Sequence, residues 1–133
     1  METLFTKIAK GDIPCTKIYE DDVCFAILDI NPVVKGHTLV IAKEPYSDTE
    51  SCPDSVLDHL ICVAKKIDIR QKEVLHTDGS NILINNHEAS GQEIPHIHIH
   101  VIPRYLSDGR KLGFEHDSYK ENEMSQFGDK LRF

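Results

Sequence analysis

No stretch of this 133-residue chain approaches the ~18 consecutive apolar residues of a membrane-spanning helix. The opening METLFTKIAK scatters charges where a secretory leader needs an apolar centre, so no export signal is expected. Basic residues are in deficit. Fifteen Lys plus Arg stand against 22 Asp plus Glu, a formal net charge of -7. Such a chain is a poor non-specific partner for nucleic acid or an anionic membrane, and neither is expected. Cys15, Cys24, Cys52 and Cys62 include no C-x-x-C pair, which removes the usual zinc and redox motifs. They read as reduced thiols of a cytoplasmic protein, two or three of them buried as small apolar side chains. By size the protein could also enter the nucleus. Repeats, low-complexity runs and linkers are missing too. What is present is ordinary globular composition, 40% hydrophobic and 28% charged, in a chain long enough for one core.

The hydrophobic patterning gives a coarse map. Leu4, Phe5 and Ile8 make one face of a short helix that Gly11 stops. CTKIY and VCFAILDI flank an acidic turn and read as a β-hairpin. A loop marked by Asn31-Pro32 and Lys35-Gly36 leads to a strand over His37–Lys43. Ser51 is the expected N-cap of a helix with Pro53 in its first turn. That helix carries Val56, Leu57, Leu60, Ile61, Ala64 and Ile67 at 3.6-residue spacing and runs to about Arg70. A short strand over 81–85, a polar loop over 86–94 and a strand over 96–102 ended by Pro103 follow. The remainder is polar, with one short helix expected near 118–125. The pattern predicts an α+β domain, an antiparallel meander sheet with a short N-terminal helix and one longer central helix, both on one side. The core spans 3–105 and a polar tail 106–133.

Eight histidines are many for this length, and three stand in HIHIHVI, at His96, His98 and His100. On a strand their side chains share one face, while Ile97, Ile99 and Val101 point to the core. The outer two lie about 13 Å apart along such a strand. Imidazole titrates near neutrality, so a row of three offers a nucleophile flanked by hydrogen-bond donors. Two of the row with a third ligand, such as His37 or a carboxylate, could instead hold zinc. His59, His76, His87 and His116 read as surface residues.

HIHIHVI resembles the signature of the histidine-triad (HIT) superfamily, and the likeness extends over residues 3–105. LFTKIAKGDIPCTKIYEDD resembles the first helix and hairpin of its Hint-like, bacterial-type members. LDINPVVKGHTLVIAK resembles their ribose-binding turn and the strand after it, and NNHEASGQ their phosphate loop. The resemblance implies a HIT-like fold with His98 as nucleophile and His96 and His100 as flanking groups that position it and contact phosphate. It implies that His37 lies against the triad and that Asp29 holds the ribose hydroxyls. Asn85 stands beside the phosphate, and Gly91 and Gln92 bring backbone N–H groups to it. Phe5, Ile8, Ile13 and Ile27 wall the base pocket. Taken singly, each has an ordinary structural role open to it: Asp29 could cap a turn, Asn85 could end a strand, and the isoleucines could be core.

Three departures mark this chain. Thr3 and Thr6 occupy the positions where many relatives carry a zinc-binding C-x-x-C pair, so no metal and no cofactor is expected. Glu93 stands where Hint proteins usually have Ser in the nucleotide site. The tryptophan of animal Hint proteins has no counterpart, since the chain has none. The resemblance implies hydrolysis at the α-phosphorus of purine nucleoside phosphoramidates through a nucleotidyl-histidine, releasing a nucleoside monophosphate. Dinucleoside polyphosphate hydrolysis, a histidine-ligated zinc enzyme and a catalytically silent nucleotide-binding partner protein are the alternatives. A homodimer is also expected. Leu60, Ile61, Val63, Ala64 and Ile67 make the central helix apolar over more than one face, and HIT proteins pair through it and the 81–85 strand.

Overall fold

The computed structural model describes residues 2–111 and 113–133. Helix α1 (Leu4–Ala9) starts with a reciprocal cap. The Thr3 hydroxyl accepts from the Thr6 N–H at 3.2 Å, and the Thr6 hydroxyl accepts from the Thr3 N–H at 2.7 Å. Strands β1 (Lys17–Glu20) and β2 (Cys24–Leu28) form the expected hairpin. β3 spans Thr38–Ala42, α2 Asp54–Leu75, β4 Gly79–Leu83, β5 His98–Arg104 and α3 Glu123–Leu131.

The five strands form one antiparallel sheet in the order β1-β2-β3-β5-β4. The meander therefore holds through β3. After α2, β4 takes the edge and β5 enters between β3 and β4. Two apolar clusters cover the two faces. Cys24, Ala26, Val40, Ala42, Ile97, Ile99 and Val101 meet Leu60, Val63, Ala64 and Ile67 of α2. Phe25, Ile27, Leu39 and Ile41 meet Phe5 and Ile8 of α1 on the opposite face. The two helices thus lie on opposite sides of the sheet, not on one. Helical periodicity shows which stripe is buried but not which sheet face receives it.

Several boundaries move for identifiable reasons. The N-cap of α2 is Pro53, not Ser51, whose N–H is taken by Asp48 at 2.8 Å. α2 continues past Arg70 to Leu75 because Gln71 is buried in the sheet-facing stripe, donating from Nε2 to the Gly36 and Val101 carbonyls at 3.1 and 3.2 Å. Leu75 then abuts Gly36, where a Cβ would meet the Leu75 side chain at 2.8 Å. With φ at +101°, Gly36 is required by both space and backbone. The fourth strand lies at 79–83 instead of 81–85. Pro103 does not end β5. β3 pairs only as far as Thr38 opposite Val101, so beyond that point one flank of β5 has no strand to receive an N–H. The tail helix lies at 123–131, later than 118–125, and none of its residues is buried.

Cys24 and Cys52 are buried, and Cys15 and Cys62 are exposed. Asp21, Cys24 and His59 bring ligand-type atoms within 4.8 Å of one another. Both Asp21 oxygens are already filled. Oδ1 accepts from the Val23 and Cys24 amides, and Oδ2 accepts from the Tyr19 hydroxyl at 2.7 Å and from His59 Nε2 at 2.6 Å. Burial works to raise the Asp21 carboxyl, and these donors outweigh it, holding it well below the usual carboxylate range. Burial and the Asp21 charge push the Cys24 thiol up to about 12, so it stays protonated. The cluster is a brace between the β1–β2 turn and α2. His59 lies at the surface as expected, and there it is held by Asp21.

Candidate active site

β5 begins at His98, so strand alternation places His98 and His100 on the α1 face, while His96 lies in the turn just before it. Phe5 reaches across from α1 and sets its ring edge-on to both His96 and His98, with centroids 5.5 and 5.0 Å away. On the neighbouring strand side, His37 packs against His100 at 5.2 Å between centroids.

Backbone groups fix which nitrogen of each ring carries its proton. His98 Nδ1 faces the His96 carbonyl at 2.7 Å. A carbonyl only accepts, so Nδ1 holds the proton and Nε2 keeps a lone pair. The Val33 N–H donates to His37 Nδ1 at 3.1 Å, so the neutral His37 ring carries its proton on Nε2. That Nε2 meets His100 Nδ1 at 2.9 Å and donates to it. His100 therefore carries its own proton on Nε2. The result is an unprotonated Nε2 on His98 beside an N–H donor on His100, their ring centroids 5.0 Å apart.

This assignment needs neutral rings, and the surroundings supply them. Burial lowers the pKa of His98, against the opposing pull of the His96 carbonyl and of the Asp29 and Glu93 carboxylates. Burial likewise lowers His96 and His37. His100 is lowered furthest, to about 4, by burial and then by His98 and His37. His98 is 8% exposed and His96 0%. His96 donates from Nε2 to the Ala42 carbonyl at 2.6 Å, and its Nδ1 meets the Thr3 hydroxyl at 2.7 Å. Both nitrogens are consumed inside the protein, so His96 has none left for phosphate, contrary to the expectation for it.

The other expected residues gather around this row with two adjustments. Asp29 Oδ1 accepts from the Asn31 N–H, capping the turn, while Oδ2 lies 3.7 Å from His37 Nε2. Phe5, Ile8 and Ile27 are at most 8% exposed and belong to the core cluster beneath the site, and half-buried Ile13 and Ile94 pack at its margin. Asn85 lies beyond the end of β4, its side-chain nitrogen 3.9 Å from where a Cβ on Gly91 would sit. Gly91 caps a short 3-10 turn (Glu88–Ser90) at φ +103°, which favours glycine. The Gly91 and Gln92 amides are not offered to a ligand: they close this turn onto the Glu88 and His87 carbonyls. Gln92 instead works through its side chain, accepting from the His87 N–H and donating to the Ser47 carbonyl, each at 2.7 Å. Glu93 is exposed.

A groove of about 620 Å³ opens along this loop, lined by Ser47, His87, Gly91, Gln92, Glu93 and Pro95. His87 stands 3.3 Å from Asp48 at its edge. Sequence reasoning missed Ser47 and Asp48, which carry no motif, and read His87 as a surface residue although it lies in the NNHEASGQ loop. It also missed Thr3, whose T-x-x-T spacing signals a helix cap but not a partner 93 residues away. Asp29, His37 and His100 set one ligand atom each within 4.8 Å, a spacing suited to zinc. A metal there would displace the proton shared by His37 and His100.

A family model described as the HIT domain matches residues 10–107. A protein of Arabidopsis thaliana named adenylylsulfatase HINT3 is 42% identical over 110 residues, covering 80% of this chain and 54% of that protein. One of Schizosaccharomyces pombe named adenosine 5'-monophosphoramidase hnt1 is 32% identical over 132 residues, covering 98% and 96%. The crystal structure of a HIT-family protein from Bacillus subtilis superposes with a TM-score of 0.88 at 34% identity, covering 98% and 95%. With the matched span running from the end of α1 to the residues just after β5, this chain belongs to the HIT domain family.

Proposed function

We propose that this protein is a nucleotide-binding hydrolase acting at the α-phosphorus of purine nucleoside phosphoramidates. The observation that carries the reading is the paired tautomer: a bare Nε2 on His98 beside an Nε2–H on His100. His98 Nε2 attacks phosphorus, and the P–N bond breaks. The amine departs with a proton from solvent, and the imidazole keeps its Nδ1 proton on the His96 carbonyl. Charge on the phosphoryl oxygens is met by the His100 N–H. Water then attacks phosphorus, the P–N bond to His98 breaks, and a nucleoside monophosphate leaves. Asp29 takes the ribose hydroxyls, Asn85 stands beside the phosphate, and the Phe5, Ile8, Ile13 and Ile27 cluster backs the base. The names of the S. pombe and Arabidopsis relatives support a shared nucleotidyl step with different leaving groups. The deciding experiment is a single turnover with adenosine phosphoramidate in the presence and absence of a chelator. Release of AMP in both supports the reading. AMP only without chelator favours a zinc enzyme built on Asp29, His37 and His100.

Glu93 supplies a sharper test of the site. An ionised carboxylate about 6 Å from a phosphate would cost roughly 1–3 kcal/mol at an effective dielectric of 20 to 40. Glu93 is exposed at the groove, so solvent and salt screen most of that cost. Glu93→Ser is therefore expected to raise kcat/KM for a phosphoramidate only modestly. A drop of about tenfold or more, with one limb of the pH–rate profile gone, would make Glu93 the proton donor to the amine.

The protein is further proposed to act as a homodimer. Leu60, Val63, Ala64 and Ile67 are spent on the sheet. Ile61 and Ile69 on α2, and Ile82 and Leu83 on edge strand β4, remain 36–46% exposed. Closed two-fold pairing would cover them. Light scattering at micromolar concentration should give twice the chain mass of 15.1 kDa. A monomer mass overturns this.

A further inference from the structure

His96 has no group free for substrate, yet its carbonyl is the acceptor that sets the His98 tautomer. Whatever holds residue 96 therefore holds the nucleophile. On the β3 side its Nε2–H is taken by the Ala42 carbonyl, so the neutral ring has a bare Nδ1. That nitrogen meets the Thr3 hydroxyl at 2.7 Å, and the ring is fully buried. The hydroxyl proton goes to His96, since the bare Nδ1 can only accept, and Thr3 Oγ1 accepts in turn from the Thr6 N–H. The Thr6 hydroxyl proton goes elsewhere, to the Thr3 carbonyl at 2.8 Å. One chain of donors thus runs from the start of α1 through the Thr3 hydroxyl to the His96 ring. The His96 carbonyl in turn receives the proton-bearing Nδ1 of His98.

We propose that Thr3 is a positioning residue for the nucleophile, its hydroxyl donating to His96 Nδ1 and thereby fixing the carbonyl that sets the tautomer of His98. The proposal rests on the reading of His98 as nucleophile. Without that hydroxyl, a buried acceptor is left unpaired and the ring tilts to escape the loss. The 96 peptide then loosens, His98 Nδ1–H loses a fixed acceptor, and fewer molecules present a bare Nε2. Thr3 touches no substrate, so binding should survive.

The test uses the full chain and three variants. Thr3→Val keeps the shape and removes the donor. Thr3→Ser keeps the donor. Thr6→Val damages the helix cap but leaves the Thr3–His96 bond. Long-range 1H–15N imidazole spectra without substrate should show His98 as a single Nδ1–H tautomer in the unmodified protein, Thr3→Ser and Thr6→Val, and as a mixture in Thr3→Val. With adenosine phosphoramidate, Thr3→Val is expected to lose about 10- to 100-fold in kcat with KM within about twofold. Thr3→Ser should restore most of it, and Thr6→Val should lower Tm while kcat stays within about twofold. A single His98 tautomer in Thr3→Val, or Thr3→Ser or Thr6→Val as slow as Thr3→Val, overturns the proposal. If Thr3→Val does not fold, Thr3→Ala carries the same readouts. Failure of the unmodified protein to turn over any phosphoramidate defeats the hydrolase reading alone, because the His98 tautomer in Thr3→Val still decides the role of Thr3.

Discussion

Replacing His98 by alanine is expected to cost at least about a thousandfold in phosphoramidate turnover, with nucleotide binding still measurable. The attacking atom is lost outright, and no neighbour can replace it. His96 has both nitrogens bonded inside the protein. His100 presents a protonated Nε2, and its Nδ1 is held by His37. Binding persists because Asp29, Asn85 and the Phe5 cluster are untouched. Quenched-flow trapping should find an acid-labile nucleotidyl adduct in the unmodified protein and none in His98→Ala. An adduct on any other residue, or substantial turnover by the variant, removes His98 from the role.

Acidification is expected to weaken the fold between about pH 6.5 and pH 4, a window set by the histidines. All four site imidazoles are held neutral by burial, with pKa values below the ordinary 6.5. In the unfolded chain they protonate near 6.5, so over this window the unfolded state binds more protons than the folded one. Stability therefore rises with pH and falls as acid is added. For His100, with a folded value of about 4, the full shift at about 1.4 kcal/mol per pH unit is about 3.5 kcal/mol, and solvent screening of the partly exposed ring brings it to roughly 2–3 kcal/mol. Asp21, depressed below its usual range, has its effect at lower pH and does not confuse the measurement. Urea midpoints should be nearly flat above about pH 7 and fall from about pH 6.5 to pH 4, and His100→Asn should flatten the slope. The same neutral rings predict an acid limb of kcat/KM below pH 6.5. A midpoint independent of pH across this range would mean that the rings are charged in the folded protein.

Much of this molecule is legible in local sequence pattern. Alternation of His98 and His100 with Ile99 and Val101 on one strand is a two-residue period, and it put the histidines on the sheet face opposite Ile99, Val101 and α2. The 3.6-residue stripe of Leu60, Ala64 and Ile67 located α2 and its buried face. The place of His37 beside the row came from family resemblance, since nothing local links residues 63 apart.

The sequence by itself determined the strands and the long helix and singled out the HIHIH row, because these depend on neighbours within a few positions. Only the tertiary structure decided how those side chains are wired. Pairing of β3 with β5 brought His37 to His100 and the Ala42 carbonyl to His96. Placement of α1 on the face opposite α2 brought Thr3 and Phe5 to the triad. The same pairing left one flank of β5 open at Pro103, which sequence rules took as a strand end. The tautomer of His98 is set by the His96 carbonyl, that of His96 by the Ala42 carbonyl, that of His37 by the Val33 amide and that of His100 by the His37 ring. The Ala42–His96 and His37–His100 contacts join distant segments, and they form only once hydrophobic burial on both faces of the sheet has fixed where those segments meet.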